Sequence, residues 1–249
     1  MIMAARGESA VIERLINGAK PGQQRHDPFH QTVVWNIIPD KTALLVVDMQ
    51  NAFVHERGLF YLPAARELIA KINRVVTISR DRGIMVVWIV RHPYRRDGLD
   101  TGYEQDFLPA MVGNPAGYTE DGWGAQLADG LEVVSERDLI VPKTRYSAFI
   151  EGSSNLDRIL RYHGRDTVII MGVATNVCCG TTARDAMMLD YKVIFVSDGN
   201  AAGGEISLAG YGPGTVQEAE LMTLRACFAM VCTTDELIGE ITNPGLARA

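Results

Sequence analysis

The chain has 249 residues, 47% of them hydrophobic and 22% charged, with a formal net charge of −6. That balance suits one large folded domain and argues against bulk nucleic-acid binding, which needs a basic surface to neutralise phosphates. No run reaches the ~20 apolar residues of a membrane span, and Arg6, Glu8, Glu13 and Arg14 interrupt any signal-peptide core. The expected setting is the cytoplasm, with neither a membrane nor a nucleic acid as partner.

Taken in chain order, the first 40 residues fit no regular rhythm. Residues 10–16 suggest one helix, and Val33-Val34-Trp35 a short extended piece. We therefore separate an N-terminal extension, residues 1–39, from a main domain, residues 40–249. The extension is a means of packing on the domain or reaching a neighbouring subunit. The apolar run Ala43-Leu44-Leu45-Val46-Val47 predicts a buried strand ending at Asp48. Leu68, Ile72, Val75 and Val76 recur at helical spacing and predict a helix over 64–82, closed by Gly83. Residues 84–90 form a second apolar run, with Trp88 expected in the core. Residues 91–130, rich in Gly, Pro, Asp and Tyr, read as a long loop region suited to covering a pocket. Its short basic cluster, Arg91 to Arg96, suits a solvated loop or a patch facing an anionic substrate.

Further strands are predicted at 139–141, 168–172, 193–196 and 230–232, with helices at 155–162, 177–189 and 216–228 between them. Apolar runs alternating with helical periods indicate an α/β fold: three layers, a mainly parallel six-stranded sheet with helices on both faces. In such sheets ligands bind beyond the carboxyl ends of the strands. Three chemically apt residues fall there: Asp48 after the first strand, Lys143 after the strand ending at Val141, and Cys178 at a strand-to-helix turn.

A thiol is a weak nucleophile until deprotonated; a helix N-terminus and a nearby ammonium stabilise the thiolate, and a carboxylate within reach takes the proton. The other cysteines are at 179, 227 and 232. Their spacing matches no zinc pattern and no nearby histidine completes a ligand set, so free thiols and no metal are expected. Each candidate has an ordinary structural alternative, as a buried small residue, a turn residue or a solvated lysine. The three together at one sheet edge favour chemistry.

Three segments carry a resemblance to the isochorismatase-like cysteine hydrolases, spanning about residues 40–235. They are Ala43 to Asp48 continuing as Met49-Gln50-Asn51-Ala52-Phe53; Val141-Pro142-Lys143-Thr144-Arg145-Tyr146-Ser147-Ala148-Phe149; and Gly172-Val173-Ala174-Thr175-Asn176-Val177-Cys178 with Thr182-Ala183-Arg184-Asp185-Ala186. The resemblance implies Cys178 as nucleophile, Asp48 as proton-shuttling base and Lys143 as its partner. It also implies a non-proline cis peptide at Val173–Ala174 and an oxyanion hole formed by the N–H groups of Ala174 and Cys178. Cys179 is read as packing.

Nicotinamidases of this superfamily hold a metal through an aspartate and histidines after the second strand. Here that stretch, Arg91-His92-Pro93-Tyr94-Arg95-Arg96, offers one histidine, so no metal or other cofactor is expected. Within the family the chain is most similar to ureidoacrylate and N-carbamoyl amidohydrolases. Arg145 and Tyr146 are candidates to meet a substrate carboxylate or ureido group, or else form a salt bridge and a packed aromatic; Phe53 and Trp123 are candidates to wall the pocket. The implied activity is cleavage of the C–N bond of a small linear amide, ureido or N-carbamoyl compound through a thioester, in a homo-oligomer (dimer or tetramer). The alternatives are an isochorismatase-type ether or ester hydrolase, a maleamate- or biuret-type amidase, and a non-catalytic scaffold.

Overall fold

A computed structural model of the chain describes residues 34–92, 122–203 and 212–243. The expected helix at 10–16, Val33, and residues 93–121 of the expected loop region lie outside them. Six strands form one sheet: β1 (Thr42–Val47), β2 (Met85–Arg91), β3 (Leu139–Lys143), β4 (Thr167–Val173), β5 (Lys192–Ala201) and β6 (Met230–Cys232). Every pairing is parallel and the order is β3-β2-β1-β4-β5-β6. The expected three-layer α/β architecture is therefore present, and all of its strand pairs run parallel.

The layers follow from the alternation of side chains along each strand. Leu44, Val46, Val86, Trp88, Ile169, Met171, Ile194 and Val196 point to one face. There they pack with α2 (Ala65–Asp81), through Leu68, Ile72, Val75 and Val76, and with α6 (Thr234–Thr242), through Leu237 and Ile241. Ala43, Leu45, Val47, Val87, Ile89, Val168, Ile170 and Phe195 point to the other face. They meet α3 (Leu156–Tyr162), α4 (Gly180–Met188) and α5 (Pro213–Cys227) through Leu156, Leu160, Ala183, Ala186 and Leu224. Burying each such Val, Leu or Ile stabilises the fold by roughly 1.5–3 kcal/mol. Gly83 ends α2 with φ +77, the left-handed conformation that favours glycine after a helix. Trp88 is fully buried, as expected, and its indole N–H donates to Asp138 Oδ2 at 2.8 Å.

Several boundaries differ from the sequence reading. β3 runs on through Pro142 to Lys143; it is an edge strand, where proline's missing N–H is tolerated. β5 continues past Val196 to Ala201 although Ser197-Asp198-Gly199-Asn200 reads as a turn. Asn200 explains the extension: the register slips between Ile170 and Gly172, and the Asn200 amide donates to Ile170 O (2.9 Å) and Val196 O (2.6 Å). α6 was not anticipated. It begins with a capping box in which the Thr233 side chain accepts from the Glu236 backbone while the Glu236 side chain accepts from Thr233 N. Among the described residues no helix is long and apolar enough to cross a membrane.

Strand order fixes where a site belongs. The chain winds outward from β1 through β2 to β3, then returns beside β1 as β4 and winds the other way. The crevice at the carboxyl ends of β1 and β4 is the point where connections diverge, and ligands of open parallel sheets bind there.

Candidate active site

β1 ends on Asp48, whose φ of 52° is the left-handed conformation, one that aspartate tolerates better than most residues. Its N–H donates to Ile89 O at 2.9 Å, tying the turn to β2. A short helix α1 (Asn51–Val54) follows. Between them Gln50 acts as a clamp: its side chain accepts from Arg91 N (2.8 Å) and donates to Arg91 O (3.0 Å) and Ala125 O (2.7 Å). Asn51 donates to Trp123 O at 3.0 Å. The β1 turn, the end of β2 and the segment around residue 123 are thus bound into one wall.

Lys143 ends β3 and is fully buried. Its ammonium donates to Asp48 Oδ2 at 2.8 Å, to Arg145 O at 3.1 Å and toward Cys178 Sγ at 3.4 Å. The three residues singled out in the sequence therefore share one buried cluster, with a single cation touching both the carboxylate and the sulfur. The other carboxylate oxygen, Asp48 Oδ1, is buried and has no hydrogen-bond partner among the described residues.

Cys178 does not open a helix as expected. It lies inside a turn of π-helix, Thr175–Cys179, that precedes α4. Such turns are uncommon and concentrate at functional sites. The peptide bond Val173–Ala174 is cis, as the family resemblance implied. The N–H groups of Val177 and Cys179 both donate to Ala174 O, at 3.0 and 3.1 Å, which leaves the Cys178 N–H outside that pair. Gly180 is required by what lies above it: a Cβ there would meet Glu220 Oε1 and Thr175 O. Glu220 forms a two-pronged pair with Arg184 from α4 across this bare stretch of backbone.

The electrostatics correct one expectation. Burial, followed by the Asp48 carboxylate, pushes the Cys178 thiol up to about 12, while Lys143 and Arg91 pull it down. Desolvation and Asp48 outweigh the two cations, so the resting pocket favours the neutral thiol over the thiolate. Burial also opposes the charge of Lys143, yet Asp48 and Cys178 together hold its pKa above the usual lysine range. Burial raises Cys179 well above the ordinary thiol range and Cys232 to about 12.

These shifts make stability fall in alkali. In the unfolded chain the thiols ionise near ~8.5, whereas the folded chain retains their protons. Above that pH the unfolded state binds fewer protons, so each buried thiol subtracts about 1.4 kcal/mol of stability per pH unit. Lys143, with its folded pKa raised, adds a loss of the same sign above ~10.4. Urea unfolding midpoints between pH 7 and 10.5 are expected to fall steeply beyond pH 9, and a flat profile would contradict the burial of these groups.

The remaining candidates fall in two groups. Tyr146 is half-buried beneath the Arg91 guanidinium, 5.3 Å from its ring centre, and Arg145 offers its carbonyl to Lys143 while its guanidinium donates to Thr144 O at 3.0 Å. Trp123 is half-buried between the His55 ring, 4.9 Å away, and the Arg57 guanidinium at 5.1 Å; Phe53 stacks on Phe60 at 5.7 Å. Their backbones are tied to the turn after β1: Phe53 N donates to Gln50 O at 2.9 Å and Asn51 donates to Trp123 O. His92 contributes its N–H to Lys143 O at 2.7 Å. Among the described residues no group of three His, Cys, Asp or Glu side chains is placed to hold a metal ion. Arg91 was read as part of a basic loop cluster; it is instead the last residue of β2 and 2% exposed.

Comparison with known proteins identifies the family. A family model for the isochorismatase domain matches residues 42–236. Ureidoacrylate amidohydrolase RutB of Enterobacter sp. (strain 638) is 31% identical over 231 residues, covering 84% of this chain and 93% of that protein. A probable inactive nicotinamidase of Arabidopsis thaliana is 38% identical over 164 residues, 65% of this chain and 81% of that protein. A crystal structure of a cysteine hydrolase from Pseudomonas syringae pv. phaseolicola 1448A superposes with a TM-score of 0.78 at 34% identity, covering 85% of this chain and 97% of that one. With a family match across most of its length and a full-length fold relative, the chain belongs to the isochorismatase family of hydrolases.

Proposed function

We propose that the protein is a cysteine amidohydrolase that cleaves the C–N bond of a small linear amide, ureido or N-carbamoyl compound, with a ureidoacrylate-like molecule as the best-matched substrate. One observation carries this reading: the Lys143 ammonium contacts both Asp48 Oδ2 and Cys178 Sγ, while the buried Asp48 Oδ1 is left without a hydrogen-bond partner among the described residues. That oxygen is the natural acceptor for the thiol proton. The similarity to a protein named ureidoacrylate amidohydrolase supports the substrate class.

The reaction runs in two acyl-transfer steps. As the sulfur attacks the carbonyl carbon, its proton passes to Asp48, and the Lys143 ammonium offsets the negative charge held between them. The tetrahedral oxyanion is received by the N–H groups of Ala174 and Cys178. The C–N bond breaks, the proton on Asp48 moves to the departing nitrogen, and a Cys178 thioester remains. Water then attacks the thioester, giving its proton to Asp48. The C–S bond breaks, and the sulfur takes that proton back. A carbamoyl substrate yields carbamate, which decomposes to carbon dioxide and ammonia. Phe53, Trp123, Arg145 and Tyr146 are assigned to substrate recognition in this scheme.

The direct test is a panel of ureidoacrylate-like, N-carbamoyl, biuret-like and maleamate-like amides assayed for ammonia release, with acid-quenched samples examined by peptide mass spectrometry. The expected result is ammonia release with a transient acyl mass on the Cys178 peptide. A substrate turned over rapidly with no adduct on that peptide, or an ether or ester cleaved in preference to every amide, would overturn the reading.

A further inference from the structure

Lys143 can serve both Asp48 and Cys178 only if its ammonium is aimed. A lysine ammonium carries three N–H donors on a head that turns readily. Here three acceptors meet it: Asp48 Oδ2 at 2.8 Å, Arg145 O at 3.1 Å and Cys178 Sγ at 3.4 Å. The two shorter bonds fix where the third N–H points. Arg145 O lies two residues beyond β3, in a stretch, residues 144–147, that is neither helix nor strand. Ser153 bends that stretch back. Its Oγ accepts from Thr144 N at 3.0 Å and from Arg145 N at 2.9 Å, and its O accepts from Thr144 N at 3.3 Å. Successive backbone N–H groups converge in this way around bound anions. A hydroxyl suits the same place because it offers two lone pairs on one atom. The next residue, Ser154, does something separate: its Oγ accepts from Leu156 N at 3.1 Å, at the start of α3.

We propose that Ser153 is a positioning residue of this active site: by holding the N–H groups of Thr144 and Arg145 it turns the Arg145 carbonyl onto the Lys143 ammonium, and so keeps one N–H of that ammonium on the Cys178 sulfur. The proposal rests on the reading of Cys178 as nucleophile. Ser153 gives and takes no proton in the reaction; it acts through one peptide group and one ammonium. Without its Oγ, Arg145 N loses this acceptor while Thr144 N keeps Ser153 O. The turn then survives in outline, but the Arg145 carbonyl is free to swing off the ammonium. The ammonium keeps its ion pair with Asp48 and can rotate about it, so the contact that suffers is the longest one, to sulfur. Ser153 also lines a groove with Pro142, Asn155 and Ile159 beside the edge strand β3, which gives an added methyl room.

The test uses iodoacetamide as probe at about pH 8, with alkylation mapped by mass spectrometry. Exposed Cys227 serves as a reference thiol in the same chain. Ser153→Ala is expected to slow Cys178 alkylation relative to Cys227 on the order of 10-fold, because an ammonium turned off the sulfur no longer stabilises the thiolate. Ser153→Thr, which keeps the hydroxyl, is expected to stay within about 3-fold of the wild type. Ser154→Ala, which removes a backbone acceptor from the same loop without touching the lysine turn, should also stay within about 3-fold. A merely structural role has the opposite sign: a loosened turn would uncover the sulfur, now 6% exposed, and speed its reaction. An unchanged or raised Cys178-to-Cys227 ratio in Ser153→Ala would therefore overturn the proposal. So would a Ser154→Ala protein, or a folded Ser153→Thr, as slow as Ser153→Ala. A Ser153→Ala chain that fails to fold would assign the residue to the fold and overturn it too. Turnover of Cys178→Ala on the amide panel is measured separately. An active alanine variant removes the nucleophile reading, whereas an unaltered alkylation ratio removes only the role of Ser153.

Discussion

Cys178→Ala and Asp48→Asn are expected to abolish turnover alike and to differ sharply in stability. Each removes a group that the two-step reaction cannot replace, and members of such a unit typically cost a factor of ~10³ or more in kcat when removed singly. The folding consequences differ because of Lys143. In Cys178→Ala the ammonium still donates to Asp48 Oδ2 and Arg145 O, and the loss is one buried, neutral thiol. A cost of about 1 kcal/mol follows from the small cavity. In Asp48→Asn the ammonium stays fully buried and loses its only counter-charge among its hydrogen-bond partners in the described residues. Breaking one side of a buried ion pair costs about 3–5 kcal/mol, which for a chain of this size lowers Tm by roughly 6–20 °C. Asparagine is the right replacement because it tolerates the left-handed backbone at φ 52°, so the loss reports charge and not strain.

The pH dependence of Asp48→Asn adds a second mark. Without the carboxylate, burial favours the neutral amine, so the folded chain sheds the Lys143 proton before the unfolded chain does at ~10.4. The unfolded state then binds more protons, and stability rises with pH through the neutral range. Urea unfolding at several pH values, alongside ammonia release, reads both effects. An Asp48→Asn protein as stable as Cys178→Ala would show that the Lys143–Asp48 pair does not hold the pocket together.

The sequence carried the outline of this site for a definite reason. Asp48 is the first polar residue after the apolar run of β1, and Cys178 follows the β4 run after Thr175-Asn176-Val177. A buried parallel strand announces its carboxyl end by the first polar residue after it. Lys143 was legible through its motif, though Pro142 hid the continuation of β3. Arg91 was missed because His92-Pro93-Tyr94-Arg95-Arg96 makes it look like the start of a basic loop. Only the pairing of Arg91 with Lys143 across β2 and β3 reveals its place, and register between strands some fifty residues apart is not a local property. The raised thiol pKa of Cys178 was not legible for a related reason. A helix start and an ammonium are visible in a motif, but the desolvation that overrides them belongs to the whole packed interior. α6, by contrast, was there to be read: Thr233 and Glu236 have capping-box spacing ahead of Leu237 and Ile241.

Gly172→Ala is expected to be the most damaging single methyl group that can be added near this site. Gly172 pairs with Val47 at the point where β1 and β4 diverge, with φ +124. A Cβ there would lie 2.1 Å from Val47 O, 2.7 Å from Val47 N and 2.9 Å from Val47 C. All three contacts are backbone atoms. Val47 cannot retreat, because its other edge is paired with Ile89 of β2. The strands must part, and with them the two strand ends that bring Asp48 to Cys178. A loss above about 4 kcal/mol is expected, a large share of the ~5–15 kcal/mol that holds a typical domain folded. Any folded fraction should also have lost activity through the widened gap. Gly83→Ala is the control: it too has positive φ, at +77, but its added methyl would meet nothing closer than Asp40 Oδ1 at 4.0 Å. It should cost about 1 kcal/mol, for the backbone conformation alone. Urea unfolding and soluble yield separate the two. Equal stabilities for the pair would mean that close approach of the β1 and β4 backbones is not what assembles the catalytic cluster.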